Sequence, residues 1–117
     1  EITYGDWSSD VCSSDLERID FCRLARLTFH APDYDRFPCL NLAYRALEIG
    51  GTMPAVLNAA NEIAVEAFCA ETIRFTDIPR VIRSVMDRHH PIERYDLYEV
   101  IEVDSWAKSI ARHCVNS

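Results

Sequence analysis

IPRVIRSVMDRHHP, residues 78–91, reads as an amphipathic helix followed by its stop. Ile78, Val81, Ile82, Val85 and Met86 recur at spacings of three and four, which places five apolar side chains on one helical face. Thr76 is expected to cap this helix, with Asp77 near its positive pole. Pro91 ends the pattern, because proline cannot donate to the helical ladder. Upstream, Val56, Leu57, Ala60, Ile63, Ala64, Ala67 and Phe68 repeat the same spacing, predicting a helix from a Thr52 cap to about Glu71. Its alanines allow a neighbouring helix to approach closely. Before it, Pro38 suits a first turn and Gly50-Gly51 a C-terminal stop. Cys39, Leu40, Ala43, Ala46 and Leu47 are expected to line one side of that helix, 38–49. Downstream, residues 96–101 read as a short helical turn. A last helix follows from Ser105 to about Cys114, capped by Asp104, with Arg112 and His113 near its negative pole.

Four or five short helices with short connections give an all-α, four-helix bundle-like domain over 38–117, preceded by an extended segment, 17–37. In that segment Leu27 and Phe29 would form a strand only beside a partner, and no other stretch offers one. Pro32 holds Ala31 away from helical geometry, so the A-P-D-Y-D run reads as loop.

The first sixteen residues, EITYGDWSSDVCSSDL, differ in kind. They carry Glu1, Asp6, Asp10 and Asp15, no base, and no helical or strand period. Back-translation of GDWSSDVCSSDL resembles a widely used short-read sequencing adapter, so 1–16 are expected to be a disordered artefact outside the fold. The full chain of 117 residues has a net charge of −7, which falls to −3 once those four acids are set aside. Neither value favours nucleic acid, whose phosphates call for clustered Lys and Arg. No apolar run approaches the roughly 20 residues that span a bilayer. Five cysteines without C-x-x-C spacing argue for a reducing, cytoplasmic compartment over a disulfide frame or zinc site.

Motifs for chemistry are sparse. There is no G-x-G-x-x-G, P-loop or G-x-S-x-G. His89 and His90 are adjacent, diverge by about 100° on a helix, and are expected to face solvent near the helix C-terminus instead of sharing an ion. His30 and His113 stand alone. Asn58, Asn61 and Glu62 share a helical face. They would hold a polar ligand or, the favoured reading, bond to adjacent segments such as the loop around Asp33. Asp33 and Asp35 are expected to satisfy backbone donors where that loop enters the first helix. Cys39, Cys69 and Cys114 lie in apolar stretches and are expected to act as small buried hydrophobes.

A family likeness emerges from ordered blocks. LTFHAPDYDRFPCLNLA (27–43), LNAANEIAVEAF (57–68) and IRFTDIPRVI (73–82) resemble successive segments of 1-deoxy-D-xylulose 5-phosphate reductoisomerase. IDF at 19–21 and VDSWAKSIA at 103–111 resemble the flanking segments. The likeness covers nearly all of 17–117 and implies the C-terminal helical domain of that bacterial, cytoplasmic enzyme. The family converts 1-deoxy-D-xylulose 5-phosphate to 2-C-methyl-D-erythritol 4-phosphate with NADPH and Mg²⁺ or Mn²⁺, on the route to isoprenoids. It works as a homodimer with an N-terminal cofactor domain and a central catalytic domain. Its glycine-rich turn, metal carboxylates and phosphate-binding residues lie upstream of these blocks, so the likeness assigns no catalytic, cofactor or metal residue here. It implies a supporting domain that is inactive alone, binds neither cofactor by itself, and exposes an apolar face toward absent domains. Two alternatives are a stand-alone helical interaction module and a small metal- or thiol-dependent enzyme.

Overall fold

The computed structural model describes residues 19–116. The expected artefact, 1–16, lies outside them. Contacts divide the chain into Glu1–Ala31 and Pro32–Ser117.

In the first unit, α1 (Phe21–Leu24) is a single turn. The Asp20 carboxylate caps it, accepting from the Cys22 and Arg23 amides at 2.9 and 3.2 Å. Leu27 and Phe29 follow without regular structure and are exposed. No strand is present among the described residues.

The second unit holds α2 (Pro38–Ile49), α3 (Met53–Cys69), a 3₁₀ turn (Phe75–Asp77), α4 (Ile78–Met86) and α5 (Leu97–Val115). The all-α bundle is therefore what folds. Helix α3 is central, packing most extensively on α5 and α4 and less on α2. Its buried side chains are Met53, Val56, Ala59, Ala60, Ile63, Ala64 and Ala67. The five apolar residues of α4 are all buried, as their spacing requires. They close the core with Val103, Ala107 and Ala111 of α5 and with Leu42 and Ala46 of α2.

Three local expectations are corrected. The buried face of α2 is Leu42 and Ala46, while Leu40 and Leu47 point outward, Leu47 being 69% exposed. Apolar residues spread over more than one face of this helix and leave only Asn41, Arg45 and Glu48 as a polar strip, so periodicity alone left the centre of the buried face open, and contact with α3 and α4 selects it. Second, residues 97–115 form one helix, not a turn followed by a helix. Asp96 is the true cap: its Oδ1 accepts from the Glu99 amide at 2.9 Å, and Glu99 Oε2 accepts from the Asp96 amide at 2.8 Å. Asp104 instead sits in mid-helix and pairs with Lys108. Third, Thr76 lies inside the 3₁₀ turn. Asp77 fixes this entry, its Oδ2 accepting from the Arg74 amide at 3.0 Å, a bond that holds its carboxyl below the usual range.

Helix α3 ends two residues before the expected Glu71. Glu71 adopts φ +58°, the Thr72 amide bonds to the Ala67 carbonyl and the Glu71 amide to that of Phe68. This is a Schellman stop with a glutamate where glycine is usual.

Candidate functional site

Two polar constellations tie the bundle together. The first lies where the α2–α3 turn meets the segment after α4. Thr52, only 1% exposed, makes no capping bond to its own helix. Its Oγ1 lies 2.7 Å from His89 Nε2 and accepts from the Ile92 amide at 3.1 Å. A neutral imidazole with its proton on Nδ1 satisfies this arrangement: the hydroxyl donates to Nε2 and accepts from Ile92. The His89 ring lies 5.3 Å from the Trp106 indole. Gly51 completes the close approach, since a Cβ there would stand 2.6 Å from the Ile92 carbonyl oxygen.

His89 was expected to face solvent, and here the structure corrects the reading; His90 is exposed. The partner of His89, Thr52, lies 37 residues away in the chain. No local pattern announces such a contact, whereas a threonine before a helix announces a cap. Burial, and then the charge of His90, push the His89 imidazole below its ordinary value. The folded state therefore disfavours protonated His89. Its contribution to stability is complete above about pH 6.5 and is lost as pH falls through that value toward the lower folded one. The melting temperature of the native chain should drop more steeply below pH 6.5 than that of His89→Gln, which keeps a bond to Thr52 but does not titrate. Parallel profiles would show that His89 is not the linked group.

The second constellation joins α3 to α5. Asn58 Nδ2 donates to Glu62 Oε1 at 2.9 Å, as the four-residue spacing allows. Lys108 Nζ then bridges Glu62 Oε2 at 2.9 Å and Asp104 Oδ2 at 3.0 Å. The Lys108 hydrogen bond first, and that of Asn58 second, hold the Glu62 carboxyl below its usual range. Its bonds to Glu62 first, and to Asp104 second, raise the Lys108 ammonium. The cluster ties helix to helix and does not reach the Asp33 loop. Asn61, half-buried on α3, does not enter these bonds. Being exposed, the ion pairs contribute little stability and mainly fix the register of α5 on α3.

Asp33 behaves as expected of a loop carboxylate, its Oδ1 accepting from the Asp35 and Arg36 amides at 3.1 and 3.0 Å. Cys39 and Cys114 are half-buried, and burial pushes the Cys39 thiol up, away from the reactive thiolate. Cys69, expected to be buried, is exposed at the end of α3. His30 and His113 are exposed and belong to different units.

Among the described residues no three His, Cys, Asp or Glu side chains converge as metal ligands. Between the Glu62 and Asp104 carboxylates stands the Lys108 ammonium.

The bundle's outer surface carries more information. Leu40, Tyr44 and Leu47 follow one another at helical spacing along α2, with Phe37 just before it, and all are exposed. Leu97, Tyr98 and Ile101 form a second exposed apolar group on the first turns of α5. The profile describing the C-terminal domain of DXP reductoisomerase matches residues 3–110 of this chain. The chain belongs to the DXP reductoisomerase family. That match begins inside the stretch read as adapter-derived. A relative from Ruminiclostridium cellulolyticum, named 1-deoxy-D-xylulose 5-phosphate reductoisomerase, is 51% identical over 106 residues, covering 91% of this chain and 28% of the relative. The reductoisomerase from Zymomonas mobilis, solved in complex with NADPH, superposes with a TM-score of 0.79 at 40% identity over 89% of this chain and 28% of that one. A DOX-P reductoisomerase in complex with magnesium gives 0.70 at 33% identity, over 87% and 28%. The chain thus spans a little over a quarter of these reductoisomerases and corresponds to their C-terminal helical domain. No helix among the described residues is long and apolar enough to cross a membrane.

Proposed function

We propose that this chain is the supporting domain of an enzyme that converts 1-deoxy-D-xylulose 5-phosphate to 2-C-methyl-D-erythritol 4-phosphate, and that it holds none of the reacting groups itself. The observation that carries the proposal is the match to the family's C-terminal domain, which covers the bundle. The solved relatives with NADPH and with magnesium support those cofactors for the whole enzyme, with Mn²⁺ as an alternative metal. Both are held by parts of the subunit outside this chain, in a cytoplasmic homodimer. Residues 1–16 are adapter-derived, 17–37 form the connecting segment, and 38–117 form the domain proper.

The outward faces of α2 and α5 favour this role. Seven large apolar side chains stand exposed in two helical groups, and contiguous apolar patches of this kind mark contact surfaces. They cover against the cofactor and catalytic domains. The same stripes are what a stand-alone interaction module would show. An upstream reading frame encoding a cofactor domain separates the two.

The chain mixed with substrate, NADPH and Mg²⁺ should oxidise no NADPH above background. Added to a relative truncated so as to lack the matching segment, it should restore turnover. The double variant Leu40→Glu, Leu47→Glu should abolish that restoration while retaining native helix content by circular dichroism. Turnover by the chain alone, or restoration untouched by the double variant, would overturn the assignment.

A further inference from the structure

Where the polypeptide enters the bundle it forms an apolar pocket of about 100 Å³. Phe37, Pro38 and Cys39 at the start of α2 make one wall, and Phe75 of the 3₁₀ turn with Ile78 and Pro79 of α4 makes the other. Arg36 is the only charged residue that lines it. The floor is firm: Ile78 belongs to the core, and Pro38, Cys39 and Pro79 are half-buried. The rim is open, since Phe37 and Phe75 are 56% and 63% exposed. Phe68 braces the Phe75 ring edge-on, with centroids 5.6 Å apart. Exposed aromatic rings around an apolar floor suit an anchoring side chain, which fills the pocket while the rim shuts water out. An apolar cavity of roughly 150 Å³ takes a benzene ring, so this smaller one suits an aliphatic side chain of about leucine size.

The path of the polypeptide points to the occupant. This chain matches the C-terminal domain of its relatives and covers 28% of the one from Ruminiclostridium cellulolyticum, so most of such a subunit precedes the bundle. The residues just before α2 are locked. The Asp33 carboxylate accepts from the Asp35 and Arg36 amides, and the Asp33 carbonyl accepts from the Phe37 amide at 2.9 Å. The preceding polypeptide therefore leaves the bundle beside the pocket. A partner tethered at that point is present at high effective concentration, and the surface at the tether is the one it meets first. The pocket also continues into the exposed α2 group, because Phe37 belongs to both.

We propose that this pocket is the socket by which the upstream part of the same subunit docks, inserting one aliphatic side chain between Phe37 and Phe75. The proposal rests on the reading of this chain as one domain of a larger subunit, and it names the point at which the α2 face is engaged.

A chimera in which residues 19–117 replace the matching segment of the Ruminiclostridium cellulolyticum relative supplies the upstream part. Alkylation by N-ethylmaleimide, mapped by mass spectrometry, should be slower at Cys39 by about tenfold or more in the chimera than in the 117-residue chain, as for a thiol reached only on opening. The rate at Cys69, exposed at the end of α3 and outside the pocket, should change far less. Cys39→Met, which extends a side chain into the pocket, should leave the melting temperature of the chain alone unchanged or raised and lower that of the chimera by about 2–4 °C. The socket is refuted if Cys39 reacts at one rate in both proteins, or if Cys39→Met acts alike on both. It is refuted too if Phe29→Ser speeds Cys39 in the chain alone, which would mean that the lead-in fills the pocket. A Cys39 rate that falls as the chain alone is concentrated would assign the pocket to a second copy and end the proposal. Turnover by the chimera reports separately: lost turnover with Cys39 shielded counts against the enzyme assignment, and turnover with Cys39 open counts against the socket.

Discussion

Met86→Ala should lower the unfolding free energy by about 2–5 kcal/mol, the largest loss expected from any single core truncation in this bundle. Met86 is 1% exposed and leads the fully buried side chains in volume. It closes the last turn of α4 against the core built around α3. Removing its γ-methylene, sulfur and methyl leaves a void that backbone relaxation fills only partly. Native domains hold only about 0.05–0.15 kcal/mol per residue, so a bundle of this size has little reserve. Urea unfolding followed by circular dichroism should show the midpoint collapsing for Met86→Ala. Met86→Leu, which nearly conserves volume, should cost less than about 1.5 kcal/mol. If the alanine variant stays within the range of the leucine variant, α4 is not packed as described.

Gly51→Ala should cost on the order of 3 kcal/mol, from two causes that add. The backbone at Gly51 has φ +55°, a conformation that costs an L-residue about 1–2 kcal/mol. The new methyl would also stand 2.6 Å from a backbone oxygen, that of Ile92, which has no flexible side chain to swing aside. The loop must move, and moving it stretches the bond from the Ile92 amide to Thr52, whose loss leaves buried groups unpaired at about 1–3 kcal/mol. Gly50 differs: a Cβ there meets nothing within 4 Å, so Gly50→Ala carries the dihedral cost alone. A second reading comes from His89. If the junction opens in Gly51→Ala, its imidazole regains solvent and its pKa rises toward the ordinary value. An alanine variant with unchanged His89 titration and native stability would refute the close approach.

Helices whose partners are local were legible in the sequence. Pro38 and Gly50 bracket α2 at the expected residues, and the five apolar positions of α4 all entered the core. Both follow from rules acting within one turn or one face. What escaped was set by distant contacts. Thr52 looked like a cap because its local surroundings fit one, but burial beside His89 and Ile92 gave its hydroxyl better partners. Leu47 looked like core because the apolar residues of α2 spread over more than one face, and only the position of α3 shows which part is covered. The start of α5 was misjudged for a different reason. Asp96 and Glu99 spell a reciprocal cap, but Asp104 offered a competing one, and a cap residue four positions before a lysine serves equally as an ion-pair partner. The Asn58–Glu62 pairing was readable from spacing, its tie to Lys108 across 46 positions was not. Family resemblance, carried by whole blocks, reached further than any single residue pattern.

The fully buried alanines of α3 and α5 have a consequence for how this domain tolerates change. Ala59, Ala60, Ala64, Ala107 and Ala111 have no solvent exposure at all. Where two helices meet through methyl groups, the backbones themselves form the wall, and no side chain can rotate away to admit a larger one. Such a seam has no slack. In a saturation scan these positions, adjacent at 59–60 and otherwise four residues apart within each helix, should accept glycine or serine at some loss and almost nothing bulkier.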